Sequence, residues 1–436
     1  VSRSVVSVVT AVSDRWEGAL VTTLERGTDA RIARRCPDLA DLLAVASSGL
    51  AQVAMVSADL RLLDRTALDH LRECAVTVVG IYPPGDEMAE LHLRQLGLST
   101  VLPADAGGDV IQQVLDALET QLGTAAGWLP PGDEPAEGGR PNGAAGGAAV
   151  RAPAAADLPD LPGVIVAVWG PAGSPGRTTV ALNLASELAR LGQPTVLVDA
   201  DTYGGCIAQS LSLLDEAPGL AAATRSADQG SLDLAVLARL APEVCENLRV
   251  LTGLPKAERW PELRAAALEH VLTLSRRLAR FTVIDCGFSL EDDEELSYDT
   301  LAPRRNAATL TSLGVADQVL AVGAGDPIGL QRLVRGLQEL GTVASPAPTV
   351  VINRVRASAV GPRPERRISE ALARFAGIEG PRFIPHDLAT LDGALLTGQS
   401  LAEAAPDSEV RRSLMVLASE VSGVAAPQLR RRRKRV

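Results

Sequence analysis

The stretch "VWGPAGSPGRTTVALN", Val168–Asn183, decides how the chain is read. It closes an apolar run, "VIVAV", and then places Gly170, Gly173 and Gly176 among two prolines ahead of Arg177, Thr178 and Thr179. Beyond the threonines, Val180, Leu184, Leu188 and Leu191 recur at helical spacing. The pattern predicts a strand, a glycine loop and a helix running from about Thr178 to Leu191. Glycines let a backbone close around an anion with its N–H groups turned inward. The helix N-terminus adds free donors and a positive dipole end. Gly173, Ser174, Gly176, Arg177, Thr178 and Thr179 therefore read as a phosphate cradle, with the Thr178 hydroxyl placed for a divalent cation. A dinucleotide loop is the rival, and Asp199 at the end of the next strand would suit its ribose. The glycine spacing here is G-x-x-G-x-x-G, however, not G-x-G-x-x-G, and the Arg-Thr-Thr ending has no purpose in such a site.

Two further segments favour a nucleoside triphosphate. "VLVDADTYGG" (196–205) ends its strand on Asp199 and Asp201, and "FTVIDCG" (281–287) ends another on Asp285. Carboxylates at strand ends beside the loop hold Mg²⁺, directly or through water, and orient an attacking water. Asp199 and Asp285 are thus metal candidates with Thr178, and Asp201 is a catalytic candidate with Arg177. Asn353, in "VVINRV", also ends a strand; its amide suits a base edge and equally suits a turn.

The rest of the chain has the same rhythm. Between residues 1 and 122, "SVVSVVTAV", "AQVAMVSADL", "AVTVVGIYP" and "STVLPADAGG" read as strands alternating with helices such as "RWEGALVTTLERG" and "DVIQQVLDALETQL". Residues 123–161 turn to Gly, Pro and Ala and read as a flexible linker. From 162 to 425 the strands "GVIVAVW", "PTVLVDA", "NLRVLTG", "FTVIDCG", "QVLAVGA", "PTVVINRV" and "RFIPH" alternate with longer helical patterns. Both regions predict α/β domains on parallel sheets, a smaller one and a larger doubly wound one.

The 436 residues suffice for two or three domains. The formal net charge is −11 although Arg430–Arg435 at the end are all cationic, so the body is strongly acidic and a broad nucleic-acid-binding face is disfavoured. The five cysteines are scattered, an odd number with no CxxC, which predicts reduced thiols in a cytoplasm. No apolar run is long enough for a transmembrane helix, and the first residues do not read as a signal peptide. Lysine occurs only at 256 and 434, with arginine at the other basic positions.

"GPAGSPGRTTVALNLASELARLGQPTVLVDAD" (170–201) resembles the MinD/ParA group of deviant Walker-A ATPases, and the likeness extends over residues 162–425. It implies ATP and Mg²⁺ as cofactors, a homodimer, "FTVIDCG" as the Walker B strand, and Asn353 and Pro385 (in "FIPHD") near the adenine. The group's usual loop is K-G-G-x-G-K-T-T. Here the first lysine falls on Ala172, the second on Arg177 and the second glycine on Ser174. These departures predict a loop that binds ATP–Mg²⁺ and hydrolyses it slowly or not at all.

The first domain resembles a response-regulator receiver. Asp59 stands near the phosphoacceptor place, but only Asp14 approximates the acidic pair, and Leu102 stands where a lysine is expected. This predicts a degenerate domain for docking or dimerisation. That domain order resembles the CpaE/TadZ branch, which implies a spatial organiser for Flp/tad-type pilus or secretion machinery, with proteins of that machinery as partners, cytoplasmic or peripheral at the membrane or pole. Two alternatives stay open: a chromosome-partitioning or septum-positioning ATPase, and a scaffold whose loop domain only docks. The Arg430–Arg435 tail suits an anionic membrane or DNA, or a solvated end. Val410, Leu414, Leu417 and Val421 form a stripe that predicts a last helix packed on its domain.

Overall fold

A computed structural model describes residues 6–125, 162–213, 218–292 and 303–425. Most of the linker with Trp128, most of the acidic stretch 291–299 and the basic tail lie outside the described residues. The chain divides into two compact units.

The first unit is a five-stranded parallel sheet: β1 Ser7–Ala11, β2 Arg31–Arg35, β3 Val53–Ser57, β4 Thr77–Tyr82 and β5 Val101–Pro103, in the order β2-β1-β3-β4-β5. This is the flavodoxin-like order. Val8, Val53, Met55, Val79 and Ile81 meet Leu20 and Leu24 of the helix Asp14–Gly27 and Ile111 and Leu115 of the helix Gly108–Ala125 in one core. That last helix runs three residues past 122, so the boundary expected there falls inside an element. β2, "RIARR", has no apolar alternation and was not legible as a strand. It is an edge strand, and Arg34 and Arg35 pair with Asp41 and Glu17 instead of entering the core. Charge along an edge also discourages further strand pairing.

The second unit is an eight-stranded sheet: β6 Val164–Trp169, β7 Thr195–Ala200, β8 Glu243–Cys245, β9 Leu248–Leu251, β10 Phe281–Cys286, β11 Gln318–Ala324, β12 Thr349–Val355 and β13 Arg382–Pro385. The order is β13-β12-β11-β6-β10-β7-β9-β8, parallel except for the short edge strand β8. All seven strands read from the sequence are present; β8 is the addition, too short and too exposed to leave a pattern. Strand alternation sends Ile165, Ala167 and Trp169 into the core on one face and Val166 and Val168 into the core on the other. The first face is covered by Leu268, Val271 and Leu272 of the helix Ala265–Leu278. The second is covered by Val180, Leu184 and Leu188 of the helix Arg177–Arg190. Val410, Leu414 and Leu417 of the helix Glu409–Ser422 join the same core, with Val421 at its margin.

Two polar ties fix the helix Arg177–Arg190 against the C-terminal elements. Asn183 donates through Nδ2 to the Thr179 carbonyl and accepts the Leu401 amide on Oδ1, at 2.8 Å each. Arg411 donates to both oxygens of Glu187, at 2.7 and 3.3 Å, with both side chains under a tenth exposed. The helix that starts at the glycine loop is therefore held along its length by apolar contact and by a buried ion pair.

Candidate functional site

β6 is the hub of the site because it lies between β10 and β11, the place where an open α/β sheet reverses its winding. The loop Gly170–Gly176 leaves its C-terminal end. Three of its residues have left-handed backbone: Gly173 at φ 108°, Ser174 at φ 52° and Gly176 at φ 99°. The glycines are also close-packed. A side-chain carbon at Gly170 would collide with the Val322 carbonyl, one at Gly173 with the Arg332 guanidinium, and one at Gly176 with the Asn353 amide. Gly176 caps the helix without a side-chain acceptor, and Arg177 opens it. The first-turn amides, through Thr179, thus have no intrahelical carbonyl and no cap to satisfy them. That is an anion site.

The strand register brings the carboxylates to the loop. Asp285 on β10 stands opposite Asp199 on β7 and opposite Val168 on β6. Asp285 is fully buried, and neither of its oxygens has a hydrogen-bond partner among the described residues. Asp199 is nearly as buried; its Oδ2 accepts from the Ile207 amide at 3.0 Å, while Oδ1 is unpartnered. Burial pushes the Asp199 carboxyl up to about 7, with the Asp201 charge adding to the rise. Burial and the Asp199 charge push Asp285 well above the carboxylate range, against the opposing pull of Thr178 and Arg177. Three orphaned, desolvated carboxylate oxygens beside a threonine hydroxyl fit a divalent cation. Among the described residues no three His, Cys, Asp or Glu side chains form a metal cage. Such a cation would accordingly take the remainder of its oxygen shell from phosphate and water, as Mg²⁺ does. When bound it would neutralise phosphate charge between Thr178 and these carboxylates.

Arg177 does something the sequence did not announce. Its Nε donates to the Cys286 carbonyl at 3.1 Å, and Nη1 to the carbonyls of Gly170 at 3.1 Å and Pro171 at 3.3 Å. Nη2 pairs with Asp201 Oδ2 at 3.1 Å. Arg177 and Asp201 are 11% and 6% exposed, so the pair is shielded from water. Asp201 Oδ1 accepts the amides of Tyr203 and Gly204, at 2.9 and 3.2 Å. The guanidinium is folded back into the frame of the loop, tying its first residues to β10 and β7. A lysine, with three donors on one atom, could not span these acceptors.

Asn353 is engaged with the loop. Only 3% exposed, it donates through Nδ2 to the Pro175 carbonyl at 2.9 Å and accepts the Arg354 amide on Oδ1 at 2.8 Å. The amide buttresses the loop at Pro175 and Gly176. Beside the loop runs a cleft of about 790 Å³, lined among others by Thr178, Thr179, Cys206, Arg354, Arg356 and His386. Pro385, half-buried at the end of β13, is not part of that lining; its neighbour His386 is. Arg354 sits at a break in the β12–β13 register with φ 57°, which turns it out of the strand. Sequence reading passed over Arg354, Arg356, His386 and Cys206. The "NRVR" run was the available signal for the first two.

The chain from Val166 to Asp392, just over half of its length, matches the family model of the CobQ/CobB/MinD/ParA nucleotide binding domain. The chain belongs to this family. Locally it is 48% identical over 67 residues to an iron-sulfur cluster carrier protein of Deinococcus radiodurans, covering 15% of this chain and 18% of that protein. It is 51% identical over 45 residues to the carrier protein of the same description from Bacillus subtilis, covering 10% of this chain and 13% of that one. The chain thus spans less than a fifth of the length of these curated relatives. Among solved structures, a ParA family ATPase from Chlorobium tepidum superposes with a TM-score of 0.50 at 17% identity, over 58% of this chain and 98% of that one. That likeness bears on the fold: the second unit has the MinD/ParA-type P-loop architecture. Among the described residues no helix is long and apolar enough to cross a membrane.

In the first unit the corresponding strand ends line a smaller cleft, of about 630 Å³, in which Glu17, Arg35 and Ser57 are already engaged. β3 ends on buried Ser57, whose Oγ accepts the Ser13 amide at 3.1 Å, while Asp59 lies two residues further on and is exposed. Glu17 pairs with Arg35 and accepts from Thr10, and the Arg35 guanidinium holds its carboxyl below the usual range. Leu102 is buried in the core.

Proposed function

We propose that this protein is an adenine-nucleotide-dependent positioning factor of the MinD/ParA type, binding ATP with Mg²⁺ and turning it over slowly. The observation that carries this reading is the contrast between the two halves of the site. The binding elements are unspent: uncapped amides at the start of the helix, and the orphaned oxygens of Asp199 and Asp285. The catalytic elements are spent on each other: Arg177 and Asp201 form a shielded pair within the loop frame. Thr178 supplies the hydroxyl for the cation, and Gly173, Ser174, Gly176 and Thr179 shape the cradle. A cation that must stay with the loop cannot follow charge onto the transferring phosphoryl group, where such cations are worth about 10³-fold or more.

The degenerate first unit, followed by this domain, supports a CpaE/TadZ-like role: a homodimeric localisation factor for Flp/tad-type pilus or secretion machinery, the first unit serving as a docking module. The proposed division is a first domain that closes with the helix Gly108–Ala125, a linker, residues 162–425 and the tail Arg430–Arg435, which would contact an anionic surface.

The test measures ATP–Mg²⁺ affinity and turnover on one preparation of the whole chain, then on Arg177→Lys. Lysine abandons the Asp201 pair and frees both groups. Turnover should rise about tenfold or more while affinity changes little. No detectable nucleotide binding by the unmodified chain would overturn the reading. A polar fluorescent focus that is lost with the pilus machinery would support the localisation role; a diffuse signal would count against it.

A further inference from the structure

Arg177 being committed to the loop frame leaves the site short of positive charge, since Asp201 cancels it and Asp199 and Asp285 stand beside it. The helix Pro327–Leu340 brings a second arginine to the loop. Gly336 on this helix lies so close to the end of β6 that an added side-chain carbon would come within 2.9 Å of Trp169 and 3.2 Å of Pro171. Arg332, one turn earlier on the same face, has its guanidinium against Gly173, where that carbon would collide with it. Arg332 is exposed and makes no hydrogen bond or ion pair with any described residue. Arg354 is also without an ion pair, but it lines the cleft, which Arg332 does not.

We infer that Arg332 is the phosphate-sensing cation of this site, standing over the middle of the loop and binding the terminal phosphate of a nucleoside triphosphate. Four features converge on this role. The guanidinium has a free donor fork, which suits phosphate oxygens. It lies on a glycine, so no side chain separates it from the loop backbone. The helix that carries it is fixed by close packing on Trp169 and Pro171. Its place at Gly173 is the middle of the loop Gly170–Gly176, before the free amides of Arg177, Thr178 and Thr179, so it adds a cation to phosphate oxygens that those amides do not hold. The neighbouring residue Ala172 brings no charge of its own.

This inference rests on the nucleotide reading above, and the experiment separates the two. Titrate the full chain with ATP–Mg²⁺ and ADP–Mg²⁺, then repeat with Arg332→Ala, Arg332→Lys and the double variant Ala172→Lys/Arg332→Ala. Arg332→Ala should weaken ATP about tenfold and ADP by less than about twofold, the scale of one charge-assisted contact at an exposed site. Arg332→Lys should retain most of the preference. Adding Ala172→Lys to Arg332→Ala should restore it, which a purely structural role would not allow. The thermal midpoint should not move, because the side chain has no partner to lose. Unchanged ATP affinity in Arg332→Ala, or equal losses for ATP and ADP, overturns the inference alone. A parent chain that binds neither nucleotide overturns the functional reading and this inference with it.

Discussion

The two units build parallel sheets of the same α/β kind and put polar residues at the same ends of their strands, yet those ends have opposite fates. In the first unit the polar groups described there are paired or stand in solvent. Arg35 pairs with Glu17, Ser57 takes the Ser13 amide, and Asp59 has moved out to solvent. In the second unit Asp285 and Asp199 keep three buried oxygens with no hydrogen-bond partner among the described residues. Leaving a buried polar group unmatched costs folding free energy, so a site that keeps such groups is built for something that arrives later. A strand end that satisfies itself has nothing left to bind with. The two sets of strand ends therefore differ less in fold than in whether their polar atoms are already used.

That contrast can be broken most forcefully at the pair that resembles neither case, Glu187–Arg411, which is buried and matched. Glu187→Ala strands the Arg411 charge in the core, and stability in urea should fall by about 3–5 kcal/mol. A loss below about 1 kcal/mol would mean that matching of buried charge is not what holds the helix Arg177–Arg190 in place.

Asp285→Asn tests the opposite situation and should separate stability from binding. Burial favours the neutral form of the Asp285 carboxyl, so exchanging it for a neutral amide of the same shape should change the stability of the ligand-free fold by under about 1 kcal/mol. The Mg²⁺-dependent part of nucleotide affinity should fall at least about 100-fold. Parallel losses of stability and binding would instead make Asp285 a structural residue.

The smallest effect is expected in the first unit. Glu17→Gln removes a partly exposed pair and should loosen β1 and β2 by under about 1 kcal/mol, read as faster amide exchange at residues 7–11 and 31–35 of the whole chain. The sign of its pH dependence follows from the depressed value of Glu17. Its stabilisation is complete above the ordinary glutamate value of 4.5 and is lost as pH falls through the lower folded value. The variant and the parent should therefore exchange alike in strong acid. A difference that persists there would remove the ion pair as its cause.

Much of this molecule could be read from its sequence because the physics involved is local. Apolar runs such as "VIVAVW" and "FTVIDC" must be strands covered on both faces, and strands alternating with helices must be parallel. The glycines at 173 and 176 announce backbone that other residues resist, and the structure has both at positive φ. The same local logic put Asp199, Asp201 and Asp285 at strand ends. It failed at β2 and β8, where an edge position relieves the strand of any need for an apolar pattern.

What the sequence could not say was where each polar group would spend its hydrogen bonds, because the partners lie far away along the chain. Asn353 meets Pro175 across 178 positions, and Arg177 meets Cys286 across 109. Residue type alone offers Asn353 to a base and Arg177 to a phosphate. Only packing turns both into braces of the loop and sets Arg332, from a helix with no motif, against Gly173. Composition and spacing determine which atoms are able to bind; the folded chain determines which of them are still free to do so, since a donor used inside the fold is no longer available to a ligand.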